Sequence, residues 1–197
     1  GNSYTFKSWD ASEQQEYTAT NVTLNDPYGD AYTGAVFPDG DGQYSVVELI
    51  FQDVVQQEIT LDPGYQFISR NVAPADLDLQ SVLANILNSV EFVKDSDANL
   101  LRKIGPNWVN GIGDWNLTEG YLIKMAGAAT LTIEGQPVDP QTQINLTRTY
   151  QFIPYLPTSP QDAVTALSTI LDNLAFAKDS DANLLRKIGP NWVNNIG

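Results

Sequence analysis

Two periods of apolar and polar residues run along this chain. Over residues 5–9, 16–20 and 44–51 bulky and polar residues alternate, as in half-buried strands, with Asp26-Pro27-Tyr28-Gly29-Asp30 and Asp39-Gly40-Asp41-Gly42 as turns. This predicts a small antiparallel β unit, Ig-like or partial, over residues 1–56. Residues 58–61 and 65–70 continue as strands about the turn Asp62-Pro63-Gly64. After Pro74 the period lengthens. Leu79, Val82, Leu83, Ile86 and Leu87 would share one face of a helix of two to three turns, with Asp76 and Asp78 placed to accept from its free N–H groups. Strand alternation then returns. Residues 90–94 and 99–104 predict a hairpin closed by Asp95-Ser96-Asp97-Ala98. Gly105-Pro106-Asn107-Trp108 and Gly111-Ile112-Gly113-Asp114 predict turns, and residues 120–125 and 129–134 two more strands.

A duplication organises this pattern. Lys94-Asp95-Ser96-Asp97-Ala98-Asn99-Leu100-Leu101-Arg102-Lys103-Ile104-Gly105-Pro106-Asn107-Trp108-Val109-Asn110 returns letter for letter as residues 178–194. Outside it the copies have drifted: Tyr65-Gln66-Phe67-Ile68 answers Tyr150-Gln151-Phe152-Ile153, and Val82-Leu83-Ala84 answers Ala166-Leu167-Ser168. The offset falls from 85 to 84 between these matches, so the intervening loop is one residue shorter in the second copy. A period of this size marks a duplicated small module, not a solenoid repeat of about 20 to 50 residues.

The predicted fold class is mainly β with one short helix per module: tandem α+β, sandwich-like modules over residues 57–140 and 141–197, linked at residues 137–140. In the second copy Ser159, Pro160 and Asp162 offer a cap, a first helical residue and an acidic third. Val164, Leu167, Ile170 and Leu171 repeat the apolar face, and residues 143–146 are expected to open module two as residues 58–61 open module one. The second copy is expected to be incomplete, because nothing like residues 114–125 follows Ile196-Gly197. Either strands from another chain complete it, giving a head-to-tail polymer, or the sequence is a fragment of a longer one.

Composition narrows the chemistry. Ten Lys plus Arg against 24 Asp plus Glu give a net charge of -14, which makes nucleic acid and anionic membrane surfaces poor partners. The chain has no cysteine and no histidine, so disulfides, thiolate sites and a Ser-His-Asp triad are excluded. It has no run of 18 apolar residues and no signal-like opening.

Two constellations remain. Asp95, Asp97 and Asn99, with their copies Asp179, Asp181 and Asn183, set oxygen ligands at alternate positions, as a calcium loop does. An EF-hand would need Gly and Glu where Leu100 and Pro106 stand, so the alternatives are a non-EF-hand calcium site and a turn whose side chains bond their own backbone. Asp39-Gly40-Asp41 poses the same choice. Trp108, Trp115, Tyr121 and Trp192 are either a platform for sugar rings or core staples. No Asp/Glu pair is marked out as glycosidase acid and base, and no enzyme or resident cofactor is expected. Arg102-Lys103 and Arg186-Lys187 read as a solvated strand face.

At Gly64-Tyr65-Gln66-Phe67-Ile68-Ser69, Ser81-Val82-Leu83, Val93-Lys94-Asp95-Ser96-Asp97-Ala98 and Ile112-Gly113-Asp114-Trp115-Asn116-Leu117-Thr118-Glu119-Gly120-Tyr121-Leu122-Ile123-Lys124-Met125 the chain resembles a repeat of large secreted and surface proteins of Bacteroidetes. That repeat runs GWNLIS, SVL, VKDGDG, IGDWNPGEGYQIKM. Residues 4–12 are similar to the FKVWDAS segment that precedes such repeats. Tyr65 and Tyr150 replace the usual Trp, and Ser96 and Ala98 replace glycines. The resemblance implies export by a type IX route, a cell-surface or secreted location, and no catalytic residues. The expected role is a non-catalytic structural or interaction module of an adhesin or fibre, contacting other subunits or neighbouring domains. The alternative is a carbohydrate-binding module that contacts glycans.

Overall fold

The duplicated segment builds the same two strands twice, in the same register, each pair following a third strand that ends on the segment's first residue. The computed structural model describes residues 5–10, 15–25, 31–33, 45–51 and 54–196. The Asp39-Gly40-Asp41 candidate and the turn at residues 26–30 lie outside these. The chain divides into two compact units, residues 1–54 and 55–197. The first carries β1 (Lys7–Asp10), β2 (Gln15–Asn25), β3 (Ala31–Thr33) and β4 (Ser45–Phe51). All pairings are antiparallel, as the alternating pattern predicts; β2 joins β1, β3 and β4, and β3 is a strand that the pattern did not mark.

In the second unit, module one comprises β5 (Val55–Leu61), β6 (Gly64–Ile68), β7 (Val72–Ala73), the helical turn α1 (Leu79–Val82), β8 (Val90–Lys94), β9 (Leu100–Ile104), β10 (Asn107–Asn110), β11 (Tyr121–Met125) and β12 (Ala129–Pro137). They form a five-stranded sheet in the order β10-β9-β8-β11-β6 and a three-stranded sheet β5-β12-β7. Both sheets and α1 feed one core: Leu61, Ile68, Leu79, Leu83, Val93, Leu101, Trp115, Tyr121, Ile123 and Leu131 are buried. Along β11 the buried residues are Tyr121, Ile123 and Met125, the period-two pattern read directly.

The helix is shorter than its apolar spacing predicts. α1 is a single turn capped by Asp78, whose side chain accepts from the Ser81 N–H, and a 3₁₀ turn at Leu87–Ser89 finishes the segment. Leu79, Leu83 and Ile86 still reach the core. Asn85 Nδ2 donates to the Thr130 carbonyl at 3.0 Å, and Asn and Ser, which follow at residues 88 and 89, favour turns over helix interiors.

Module two carries α2 (Ala163–Ala166), a 3₁₀ turn at Ser168–Asn173, β13 (Phe176–Lys178), β14 (Leu184–Ile188) and β15 (Asn191–Asn194). Its cap is Asp162, not Ser159: Asp162 accepts from the Thr165 N–H at 3.0 Å, as Asp78 does in module one. The registers coincide. Val93 faces Leu101 and Ala177 faces Leu185, while Trp108 faces Lys103 and Trp192 faces Lys187. Residues 143–146 and 150–153 are not strands. In module one their counterparts β5 and β6 pair with β12 and β11, and the described part of module two supplies no such partners. A lone strand leaves its backbone groups unpaired, so none forms.

Candidate functional site

The Asp95 turn is built from its own carboxylate. Asp95 Oδ1 accepts from the N–H of Asp97 at 2.9 Å and of Asn99 at 2.8 Å, and Oδ2 from Asn99 Nδ2 at 2.7 Å. Asp179 repeats the bonds to the Asn183 N–H and Nδ2, each at 2.8 Å. Ala98 and Ala182 stand at φ 68° and 67°, the left-handed position that closes each turn. Asp97 points away and pairs with Arg148 of module two, Nε to Oδ1 2.8 Å, which lowers the Asp97 pKa and raises that of Arg148. Among the described residues no group of three or more Asp or Glu gathers as metal ligands. Asp181 is exposed, and Asp95, 5% exposed, has both oxygens on the turn.

The aromatic candidates separate. Trp115 and Tyr121 are each 1% exposed and meet edge to face at 5.5 Å, so burial leaves neither a face to offer a sugar, and of the two alternatives these two are core staples. The Tyr121 hydroxyl accepts from the Asn116 N–H at 2.9 Å, and burial pushes its pKa up to about 12. Buried Arg70 spans the carbonyls of Val72 and Trp115, each at 2.8 Å, and loss of hydration lowers its pKa. Trp108 and Trp192 are half-buried on matching strands, Trp108 against the core of module one.

Sequence reasoning missed the joint between the modules. The Phe67 N–H donates to Ser180 Oγ at 2.8 Å, and the Phe152 N–H donates to Ser96 Oγ at 2.9 Å. Phe67 and Phe152 are equivalent residues of the two copies, as are Ser96 and Ser180, so each bond is the other with the modules exchanged. The two phenyl rings meet at 5.3 Å. This is the pattern of an isologous interface, within one chain. Buried Gly120 donates to the Phe152 carbonyl at 3.0 Å, and Ser69 Oγ donates to the Tyr155 carbonyl and accepts its N–H. A signal was present: Ser96 and Ser180 lie in the identical segment, at turn positions that need no hydroxyl for the turn itself.

A second shared contact ties each hairpin to its helical turn. Asn110 Nδ2 donates to Asp78 Oδ2 at 2.8 Å, and Asn194 Nδ2 to Asp162 Oδ2 at 2.7 Å. The Ser81 N–H, then Asn110, hold the Asp78 carboxyl below the usual carboxylate range. The Thr165 N–H and Asn194 do the same for Asp162.

No family model, curated protein or solved structure matches the chain. No helix among the described residues is long and apolar enough to cross a membrane.

Proposed function

We propose that this chain is a non-catalytic structural and interaction module of an extracellular surface protein, adhesin or fibre, in which the two modules act as one paired brick. The observation that carries this is the reciprocal Phe67–Ser180 and Phe152–Ser96 pairing: side chains repeated in both copies serve to join the copies. The Asp95 and Asp179 carboxylates are engaged by the backbone of their own turns. The resemblance of residues 58–197 to repeats of Bacteroidetes surface proteins supports the location and the type IX route. An isologous joint closes on itself, so any head-to-tail assembly runs through another surface.

Single-molecule pulling on the full chain tests the paired brick. Residues 55–196 are expected to give way in one event that carries both modules, and two independent events would remove the reading. A glycan array decides the carbohydrate-binding alternative. Saturable sugar binding lost in Trp192→Ala, with the fold retained, would favour it.

A further inference from the structure

We infer that the outer face of the five-stranded sheet, continued across the joint between the modules, binds an extended acidic polysaccharide. Aromatic rings lie under its sugar faces, and arginine and lysine side chains meet its carboxylates. The inner face of that sheet is the core, and residues one step out of phase with the core point the other way. Across β6, β11, β8, β9 and β10 one outward row reads, in register, Tyr65, Lys124, Phe92, Arg102 and Val109. A solvated sheet face is ordinarily polar. Here Tyr65 is 55%, Val109 45% and Phe67, in the next row, 37% exposed. They are exposed although β11 fills the sheet between β6 and β8, so the rings stand on a complete sheet face.

The rings continue through the joint. Tyr65 meets Phe92 at 6.1 Å, and Phe67, two residues along β6 on the same face, meets Phe152 at 5.3 Å. Tyr150, the counterpart of Tyr65, meets Phe176 at 6.1 Å. These three pairs make a line of six rings that runs from one module to the other through Phe67 and Phe152. Trp108 and Trp192 are not part of it: they stand opposite Lys103 and Lys187, one step out of phase, with Trp108 against the core.

Charge decides the occupant. The chain has 24 Asp plus Glu against ten Lys plus Arg, yet the five strands of this sheet hold a single acid, Glu91, which pairs with Lys124 at 2.6 Å. Lys124 Nζ also stands 5.5 Å from the centre of the Tyr65 ring. Arg102 beside Phe92, and Arg186 beside Phe176 in the same register, are exposed and have no ion pair among the described residues. A free arginine next to a ring, repeated in both modules of so acidic a chain, is a place for an anion from outside it. A line of rings suits the apolar faces of a saccharide chain, and cations set at intervals suit its spaced carboxylates. The dense phosphates of a nucleic acid meet the net charge of -14 instead. The inference rests on the paired brick, since the line is continuous only where the modules meet, and it gives the brick's interaction role a ligand class.

The test is calorimetry of the full chain with hexagalacturonate. Saturable binding is expected, weakening as salt is raised, with amide shifts at Tyr65, Phe67, Phe92 and Phe152. The same hexamer with its carboxylates methyl-esterified is expected to bind more than about tenfold more weakly. Tyr65→Ala and Arg102→Gln chains are each expected to bind the acid more than about fivefold more weakly, and Trp192→Ala as tightly as the parent. Both altered side chains are exposed, and the β8 and β9 amides report that each variant keeps its fold. No binding, equal binding of the esterified hexamer, tighter binding of oligoglutamate or of a single-stranded oligonucleotide, or a loss confined to Trp192→Ala would each overturn the site. Protection of the Phe67 and Phe152 amides is read in the same samples. If it persists while the hexamer fails to bind, the site falls and the paired brick stands; if it is absent, the brick falls and the line of rings with it.

Discussion

Replacing Gly120 with alanine probes the joint between the modules at its tightest point. An added Cβ would lie 2.6 Å from the Ile153 carbonyl oxygen, 2.9 Å from its carbon and 3.2 Å from its nitrogen. Carbon–oxygen contacts settle near about 3.4 Å, so the backbone of module two must retreat by about 0.8 Å. That retreat stretches the 3.0 Å bond from the Gly120 N–H to the Phe152 carbonyl beyond hydrogen-bonding range. Overpacking costs about 1–3 kcal/mol and the lost bond about 1, against a gain of about 0.4–1 from a stiffer unfolded chain. The φ of Gly120 lies outside the left-handed region, so alanine's own backbone adds no strain. A net loss of about 1–3 kcal/mol is expected from urea unfolding. Amide spectra should place the change at Phe152, Phe67 and Tyr155 and leave β8 and β9 alone. A neutral or stabilised variant with the Phe67 and Phe152 amides unmoved would refute the close approach.

Three further outcomes follow from single residues. Ala98→Gly and Ala182→Gly should each stabilise by about 0.5–1 kcal/mol, because relief of about 1–2 kcal/mol of left-handed strain outweighs the added unfolded-state freedom; loss of melting temperature in both would contradict the turn. The fold favours the neutral form of Tyr121, whose pKa is raised to about 12. Its contribution is whole below about pH 10 and falls by about 1.4 kcal/mol per pH unit between about 10 and 12, a slope that Tyr121→Phe should remove from alkaline unfolding curves. Trp115→Ala should cost about 3–5 kcal/mol in denaturant, against under about 2 for half-buried Trp192→Ala; equal costs would show that the two copies do not differ in packing as described.

Much of module one could be read from the sequence because its signals are local. The hairpin of β8 and β9 was marked by two apolar runs about an Asx-rich turn; the turn read at residues 105–108 is tighter than that, with Gly105 at φ 61° and Pro106 alone making it and Asn107 and Trp108 already in β10. The length of α1 was not legible. The spacing of Leu79, Leu83 and Ile86 reports which side chains face the core, and a turn followed by 3₁₀ geometry meets that demand as well as a helix does.

Residues 143–153 show the complementary limit. Their likeness to the β5–β6 region predicts strands, but a strand exists only where a neighbour accepts its hydrogen bonds, and that neighbour lies far off in sequence. Of the candidate site, identity between the copies pointed to Asp95 and Asp179 but not to what they do. Ser96 and Ser180 went unnoticed because their partners are backbone groups of the opposite module. Gly120 needs its small size only against Ile153, a contact that no spacing within either copy encodes.

Residue-by-residue hydrogen exchange over 94–110 and 178–194 bears most directly on the claim that one identical segment frames two modules, the first more deeply buried than the second. The same positions should be protected in both copies, led by the strands around Leu101 and Leu185, with the second copy exchanging faster throughout. Different sets of protected amides, or a second copy as slow as the first, would contradict it.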